Sequence, residues 1–389
     1  PVSFVERLIE RAQGNPFYLD QMINYIQDQG INPSDAAALE AVRLPESLRA
    51  LILSRIDRLA EAEQVALKVA SVLGRAFRAS WLWAIYPPLG RPDEVLTLLE
   101  SLSRLDLTAL EKGEPELEYL FKHVVTQEVA YESLTLSTRV MLHGIVGRFI
   151  EQQFPDDLER YLDMLAFHFG RSDDHARQRR YFRLAADAAR VAYANDIALD
   201  YYRRLRPLLD PPEQVGVLLR EGEVLQLVGR WTEAEAVVCE ALALAEAGGE
   251  VVEIARCRTE LANLLASRGD FDAAIAIIDE VMPVWERVDD PSGYYDALWV
   301  LGYVLTEIGE YTRGLRQLEH THEIAVRLGD QRLIAKSIGY MGLLYVEISD
   351  DEMALYCLER SAAMAQQLSD WSLLVRTRGK IGFVLARQG

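Results

Sequence analysis

Three stretches of the sequence carry residue types that could bind a metal ion or a phosphate: a histidine pair, a glycine-lysine pair and an early turn. The histidine pair is His320 and His322 in EHTHEI. At about 100° per residue on a helix their side chains point roughly 200° apart, so they cannot share an ion. A phosphate-binding loop needs G-x-x-x-x-G-K-[ST], but Gly379-Lys380 is followed by Ile381. We therefore predict no metal site and, without an arrangement typical of a nucleophile, no catalytic residue.

The early turn lies in RAQGNPFYLD, where Gly14-Asn15-Pro16 separates two helix-forming stretches. Glycine allows another group to approach closely, and proline offers a rigid apolar face without an N–H group to satisfy. A histidine, His123, begins another helical stretch in FKHVVTQEVA, where free backbone N–H groups favour an anionic group. The simpler interpretations are a helix-capping turn at 14–16 and a packed surface histidine at 123.

The bulk composition excludes several classes of partner. The chain has 389 residues, 26% of them charged, with a formal net charge of −19 at pH 7. This length exceeds one compact core, so we expect more than one domain. The negative charge repels phosphate backbones and anionic lipids, which predicts no nucleic-acid and no membrane partner. The three cysteines lie in helical patterns and indicate buried thiols in a reducing compartment, which favours a cytoplasmic protein.

Internal repetition at 40-residue intervals is the strongest pattern in the second half. Turns begin at Gly229, Gly269, Gly309 and Ser349, and one further step reaches Gly389. Small residues recur seven positions before and five positions after each turn, which lets successive helices cross closely. They are Gly222, Ala262, Gly302, Gly342, Gly382 and Ala234, Ala274, Gly314, Ala354. The aromatic residue two positions after the first three turns is replaced by Asp351 in the fourth, so we expect that turn to be looser.

This pattern resembles the tetratricopeptide repeat, in a form of about 40 residues, and implies helix pairs stacked into a right-handed superhelix. An earlier, less regular unit fits residues 176–210, and the last unit shows only a first helix, at about 371–388. In such repeats the first helix of each unit lines the concave groove. The inward positions, ten and six before each turn, are Thr259, Asn263, Trp299, Tyr303, Gly339 and Leu343.

These groove positions predict binding of a protein or peptide partner. We expect Asn263 and Tyr303 to hydrogen-bond an extended peptide and Trp299 to anchor it, with Leu343 beside them, because aromatic residues dominate binding energies. Packing of Trp299 against the neighbouring repeat is the alternative. Thr259 and Glu307 occupy positions where carboxylate-binding relatives carry Lys and Arg, so a C-terminal carboxylate is not the expected ligand.

The first half predicts a small mixed domain. Residues 44–74 form two amphipathic helical stretches that start near Pro45-Glu46-Ser47 and stop at Gly74. Two further helices, at about 79–86 and 92–103, precede an alternating hairpin at 105–121. Three helices and a hairpin are the outline of a winged helix, and this hairpin is the only β-structure that we expect.

Four segments carry a second resemblance: QGNPFYLDQMI, LPESLRALILSRIDRL, VASVLGRAF and YLFKHVVTQEVAYESL. In this order, and followed by helical repeats, they look like the C-terminal half of a bacterial STAND-class (AAA-like) signalling NTPase. Such proteins are fused to nucleotide cyclases, kinases or transcriptional activators of the maltose-regulon type.

The resemblance implies a nucleotide site shared with the rest of the parent protein. In that class the proline of a Gly-x-Pro turn packs against the adenine, which corresponds to Gly14 and Pro16 here, with Phe17 behind them. A winged-helix histidine contacts the β-phosphate of ADP, and His123 falls on that position; Val124 replaces the acidic residue found next in some members. ADP or ATP with Mg would bind only in the complete parent, which implies an upstream nucleotide-binding domain of the same chain and no cofactor in this segment.

We therefore expect a mainly all-α fold in four parts. They are a remnant helical subdomain at 1–43, a winged-helix-like domain at 44–125, connecting helices at 126–175 and a repeat superhelix at 176–389, cut in its last repeat. The expected function is a non-catalytic regulatory or sensor arm of a STAND-type ATPase, whose groove binds a protein or small-molecule signal. The alternative is a stand-alone tetratricopeptide-repeat scaffold for partner peptides, without a nucleotide switch.

Overall fold

A computed structural model describes residues 2–12, 14–32, 34–42, 45, 47–288 and 290–388. The chain divides into two compact units, Pro1–Ala185 and Ala186–Gly389. Glu46, at the predicted start of a helix, and Gly389, the fifth turn marker, lie outside the described residues. Among those that are described, no helix is long and apolar enough to cross a lipid bilayer.

The first unit is mainly helical. Its helices are α1 (Val2–Ala12), α2 (Pro16–Asp28), α3 (Ala36–Ala41), α4 (Leu48–Ile56), α5 (Glu61–Leu73), α6 (Ala79–Ile85), α7 (Pro92–Arg104), α8 (Val124–Glu132), α9 (Leu136–Gln153), α10 (Leu162–Phe169) and α11 (His175–Val191), which continues into the second unit. The predicted start and stop residues act as expected. The Ser47 hydroxyl accepts a hydrogen bond from the Ala50 N–H at 3.2 Å, and α5 ends before Gly74, whose φ is +127°.

A three-stranded antiparallel sheet completes this unit. Its strands are β1 (Ala76–Arg78), β2 (Thr108–Lys112) and β3 (Glu118–Phe121), in the order β1-β3-β2. The hairpin that the sequence predicts is β2-β3, and the expectation that it is the only β-structure is wrong. Strand β1 pairs Phe77 with Tyr119, but three residues next to a helix give too little alternation to be recognised. The order α5-β1-α6-α7-β2-β3 contains the three helices and the hairpin that the sequence predicts, with one further strand after the first helix.

The second unit is an α-solenoid, as the 40-residue period predicts. Its helices are α12 (Asn195–Leu205), α13 (Pro211–Leu227), α14 (Trp231–Gly248), α15 (Val251–Ser267), α16 (Phe271–Trp285), α17 (Pro291–Glu307), α18 (Tyr311–Leu328), α19 (Gln331–Glu347), α20 (Asp351–Gln367) and α21 (Trp371–Gln388). Residues 176–210, the predicted irregular early unit, contain α11 and α12, and the boundary between the two compact units falls inside α11. Each helix packs against the next in the chain, so each repeat buries its apolar face against its neighbour.

The turn inside each repeat has one backbone shape. Its marker residue has a positive φ, from +62° at Ser349 to +86° at Gly269. The next N–H, as in Asp350, donates to the carbonyl five residues earlier, as in Tyr345, at 2.8–3.0 Å in all four turns. The prediction of a looser fourth turn is therefore wrong, because this bond belongs to the backbone and does not depend on the aromatic residue that Asp351 replaces.

The small residues at the helix crossings allow a matched stability test. A Cβ atom on Gly342 would lie 2.8 Å from Leu358 Cγ and 3.2 Å from Cys357 Cβ, whereas a Cβ atom on Gly382 would meet nothing within 4 Å. We expect Gly342→Ala to lower the free energy of unfolding by about 1–3 kcal/mol, because overpacking forces the helices apart. We expect Gly382→Ala, at the same repeat position, to raise it by up to about 1 kcal/mol through helix propensity. Urea unfolding measures the free energy of unfolding of both variants. Equal changes in the two variants would contradict the prediction.

Candidate functional site

The first candidate site joins the early turn to His123, two segments far apart in the chain. Gly14 has a φ of +80°, and the Asn15 carboxamide oxygen accepts hydrogen bonds from the N–H groups of Phe17 and Tyr18 at 3.0 and 3.3 Å. The turn therefore caps α2, which begins at Pro16. The ring of Phe17 lies against the ring of His123, with 3.9 Å between centroids and 39° between planes.

The residues of this first site differ in exposure, and one buried polar atom among them has no hydrogen-bond partner. Gly14 and Pro16 are exposed, and His123 is half-buried at the N-terminus of α8, near the free N–H groups of its first turn. No group among the described residues hydrogen-bonds His123 Nε2, which is itself buried. Burial, and then the neighbouring Lys122, lower the pKa of His123, so its imidazole is neutral at pH 7.

Two carboxylates that sequence reasoning missed lie beside this histidine. One ligand atom each from Asp20, Asp106 and His123 lie within 4.8 Å of one another, a spacing that a metal ion could bridge. Asp106 also forms an ion pair with Lys122. Asp20 lies one helical turn beyond Phe17, but nothing in the sequence alone connects either carboxylate with His123, because tertiary packing brings them together.

Arg55 fixes the position of α2, which carries Phe17 and Asp20. Its side chain is 2% exposed and donates to the Asp28 carboxylate at 2.6 Å, to Gln21 Oε1 at 2.6 Å and to the Leu105 carbonyl at 2.7 Å. These bonds join α4 to α2 and to the segment that enters β2. Arg55 is therefore a positioning residue that the sequence did not single out.

The second candidate site is the groove of the solenoid, a cavity of about 1010 Å³. The four predicted groove residues, Asn263, Trp299, Tyr303 and Leu343, all line it. Two other inward predictions are wrong. Thr259 is 5% exposed and accepts a hydrogen bond from the Trp285 indole at 3.1 Å. A Cβ atom on Gly339 would lie 2.7 Å from the Ser361 hydroxyl oxygen, so that position faces a second helix of the repeat.

Aromatic side chains form one part of this groove. The rings of Trp299 and Tyr303 stack with 5.9 Å between centroids, and the Tyr340 ring meets Trp299 edge-on at 5.1 Å. Lys336 Nζ lies 4.1 Å from the centre of the Trp299 ring, a cation–π contact. The indole N–H of Trp299 is buried, and no described residue accepts a hydrogen bond from it. Trp299 thus packs against its neighbours and also borders the cavity.

Charged side chains from the first helices of successive repeats act on the same space, and the sequence did not single them out. Glu223 of α13 lines the cavity, and Glu260 of α15 and Asp296 of α17 interact electrostatically with it and with Lys336 of α19. The available signal was the period: Asp296, Lys336 and Arg376 lie 40 residues apart, each thirteen positions before a turn marker. Within one helix, the positions thirteen, ten and six before the turn are related as i, i+3 and i+7. They therefore lie on one face of the helix.

The two ends of the second unit meet beside this groove. Tyr193, after α11, interacts electrostatically with Asp370, just before α21. A second cavity of about 420 Å³ is lined by residues from both ends, including Arg190 and Trp371. The groove is therefore bordered by the first and last helices as well as by those between them.

Comparison with known proteins concerns mainly this second unit. A family model for the tetratricopeptide repeat matches residues 254–288, which belong to α15 and α16. No curated protein matches the chain. A solved STAND protein with a tetratricopeptide repeat sensor, from Pyrococcus horikoshii, is 13% identical with a TM-score of 0.41 over 95% of this chain and 58% of that protein. The chain therefore spans less than two thirds of its length.

Two further solved structures are complexes of repeat proteins. A Rap protein complexed with Competence and Sporulation Factor is 12% identical, with a TM-score of 0.43 over 95% of this chain and 98% of the other. NprR in complex with its cognate peptide NprX is 15% identical, with a TM-score of 0.48 over 79% and 82%. Similarity at this level carries no functional inference. The paired helices, the 40-residue period and the matched repeat show that the second unit is a tetratricopeptide-type repeat domain.

Proposed function

We propose that this chain is the non-catalytic regulatory and sensor arm of a STAND-type signalling ATPase. Its groove binds a protein, peptide or small-molecule signal, and its first unit contributes one wall of a nucleotide site. The signal biases the nucleotide switch of the parent protein, a coupling between two binding sites. The contact between Phe17 and His123 supports this proposal most directly, because it places together the two segments that the family resemblance assigns to one nucleotide.

In this proposal Pro16 packs against the adenine and His123 meets the β-phosphate. The exposed Pro16 ring leaves its apolar face free, and the Phe17 ring supports His123 from behind. A neutral His123 donates one N–H to the phosphate while the first N–H groups of α8 add their partial positive charge. Adenine recognition and phosphate recognition thus come from two ends of one compact arrangement.

The carboxylates of Asp20 and Asp106 determine the form of the nucleotide. Their negative charges would repel a bare phosphate near His123. Magnesium binds carboxylate and phosphate oxygens together, so the proposed ligand is a magnesium complex of ADP or ATP. The remaining phosphate-binding residues would belong to an upstream domain of the parent chain.

The stand-alone scaffold is the second candidate, and the groove favours it. All four predicted partner residues border one cavity, and this arrangement needs no nucleotide. In that case Asn15 is only a helix cap and His123 only packs against Phe17, as the observed hydrogen bonds and ring contact also permit.

The test separates the two candidates. The reading frame upstream of the Pro1 codon must encode a G-x-x-x-x-G-K-[ST] loop, and the full-length protein should then retain ADP on purification. We expect His123→Ala to reduce the retained ADP at least tenfold, and His175→Ala, which changes an exposed histidine of the same unit, to leave it unchanged. A frame without such a loop, or equal ADP in both variants, would leave the scaffold as the function.

A further inference from the structure

The second cavity, of about 420 Å³, lies where the two ends of the second unit come together, and we call it the end pocket. Arg190 and Tyr193 line it from the end of α11 and the residues after it, and Trp371 lines it from the start of α21. The end pocket borders the groove, but none of the four predicted partner residues lines it. Its volume falls within the range of small-ligand pockets, so it is a candidate site for a small molecule.

Two guanidinium groups of the end pocket have hydrogen-bond donors that the chain does not use. Arg190 lies 3.6 Å from the Glu223 carboxylate and Arg332 lies 4.0 Å from the Asp370 carboxylate, and both distances are too long for a hydrogen bond. Arg190 Nε is buried, and no described residue accepts a hydrogen bond from it. Because a buried donor without an acceptor costs free energy, an acceptor that enters the pocket would stabilise this arrangement.

The charge of the lining favours an anion. Among the described residues that line the end pocket, two guanidinium groups face one carboxylate, that of Glu223. Asp370 lies outside this lining, and its carboxylate accepts a hydrogen bond from the Leu373 N–H at 3.1 Å. One cationic group therefore remains in excess, which matches a ligand with a single negative charge. A carboxylate meets this condition, and its two oxygens fit the planar fork of a guanidinium.

Apolar side chains surround the same cavity and remain in contact with solvent. Val191, Tyr193, Leu227 and Trp371 line the end pocket and are 58%, 42%, 52% and 60% exposed. Large apolar side chains that stay exposed around a concave surface indicate a binding site. The rings of Tyr193 and Trp371 offer flat surfaces on which an aromatic group can stack. The body of the ligand is therefore expected to be apolar and aromatic.

We propose that the end pocket binds a small aromatic carboxylate, whose oxygens accept hydrogen bonds from Arg190 and Arg332 and whose ring lies against Tyr193 and Trp371. The bound ligand connects the end of α11 to the start of α21. The proposal goes beyond the proposed function, because it needs neither the nucleotide switch nor the four partner residues of the groove.

The test measures the binding of naphthoate to the whole chain by calorimetry. Naphthamide, which has the same ring without the charge, and naphthyl phosphate, which has a different anionic group, are measured beside it. We expect naphthoate to bind with a Kd of about 1 mM or lower, as a ligand of this size can. We expect it to bind about tenfold more tightly than naphthamide, because hydrogen bonds to an ionised acceptor are stronger.

Matched variants locate the probe in the end pocket. The double variant Arg190→Gln/Arg332→Gln should remove the preference for naphthoate over naphthamide, whereas Arg316→Gln, which changes an exposed arginine of α18, should keep it. Trp371→Ala should weaken the binding of naphthoate about tenfold through the loss of stacking and apolar contact. Val375→Ala, which changes a side chain 71% exposed on the same helix, should not weaken it.

Each other outcome overturns a part of the proposal. Equal binding of naphthoate and naphthamide would refute the assignment of an anion, and tighter binding of naphthyl phosphate would assign a phosphate in place of the carboxylate. Binding that survives both the arginine and the Trp371 substitutions would place the probe outside the end pocket. If naphthoate does not bind, the aromatic carboxylate is refuted, and ADP retention still decides the nucleotide switch separately.

Discussion

Lowering the pH from 7 to 5 is expected to destabilise the first unit by about 4 kcal/mol, through a buried histidine pair. His143 and His168, on α9 and α10, are 1% and 2% exposed, and their Nδ1 atoms are 2.9 Å apart. The Tyr131 hydroxyl lies 2.9 Å from His143 Nε2. One Nδ1 must donate and the other accept, so the two rings cannot both be protonated in this arrangement.

The direction of this stability change follows from the pKa values of the two histidines. Burial lowers the pKa of His143 to about 4 and that of His168 to about 3, below the unfolded value of 6.5. Below pH 6.5 the unfolded chain therefore binds more protons, and stability falls as the pH falls toward the folded pKa values. At pH 5 each histidine contributes about 2 kcal/mol to this loss.

Hydrogen exchange of the α9 and α10 amides at pH 7 and pH 5, corrected for intrinsic rates, measures the effect locally. His175→Ala, which removes an exposed histidine, should leave the difference intact. Equal protection at the two pH values would show that the pair does not control the stability of these helices.

Arg55→Ala is expected to lower the free energy of unfolding of the first unit by about 3–5 kcal/mol. The substitution leaves the Asp28 carboxylate, the Gln21 amide oxygen and the Leu105 carbonyl without the donor that they share. It also releases α2, so in the full-length protein it should reduce ADP retention without removing any group that contacts the nucleotide.

Arg49→Ala is the matched control for Arg55→Ala. Arg49 lies on the same helix, α4, and pairs with Glu132 with both side chains 55% exposed. Its loss should cost no more than about 1 kcal/mol, as exposed ion pairs do. Thermal unfolding and hydrogen exchange of α2 compare the two variants. Similar losses of stability would mean that the buried hydrogen bonds of Arg55 contribute little.

The features of this chain that can be predicted from sequence are those set by short-range patterns that recur along the chain. The helix pairs and turns of the second unit follow from small residues, positive-φ markers and apolar spacing at a fixed period. The groove prediction was partly right because a large side chain such as Trp299 extends from the helix interface into the cavity. At the equivalent positions Thr259 and Gly339 are too small to do so and stay in contact with the second helices.

The unpredictable features depend on segments that meet only in three dimensions. Asp20 and Asp106 approach His123, and Arg55 joins α4 to α2, through packing that no sequence spacing encodes. The charged face of the groove lies between these cases. The 40-residue spacing of Asp296 and Lys336 is visible in the sequence, but the sequence does not show that the first helices of successive repeats bring these side chains together.

The closeness of Tyr193 to Asp370, at the two ends of the second unit, has a mechanical consequence. In an open solenoid a change of pitch is a small rotation of each repeat against the next. The free ends then move to accommodate the sum of these rotations. Here residues of the first and last helices line one cavity, so a change of pitch must either alter this contact or be shared by every repeat between the ends. We therefore expect a ligand that tightens the groove to change the surroundings of Tyr193, and this tyrosine is where a fluorescent or exchange probe should be placed.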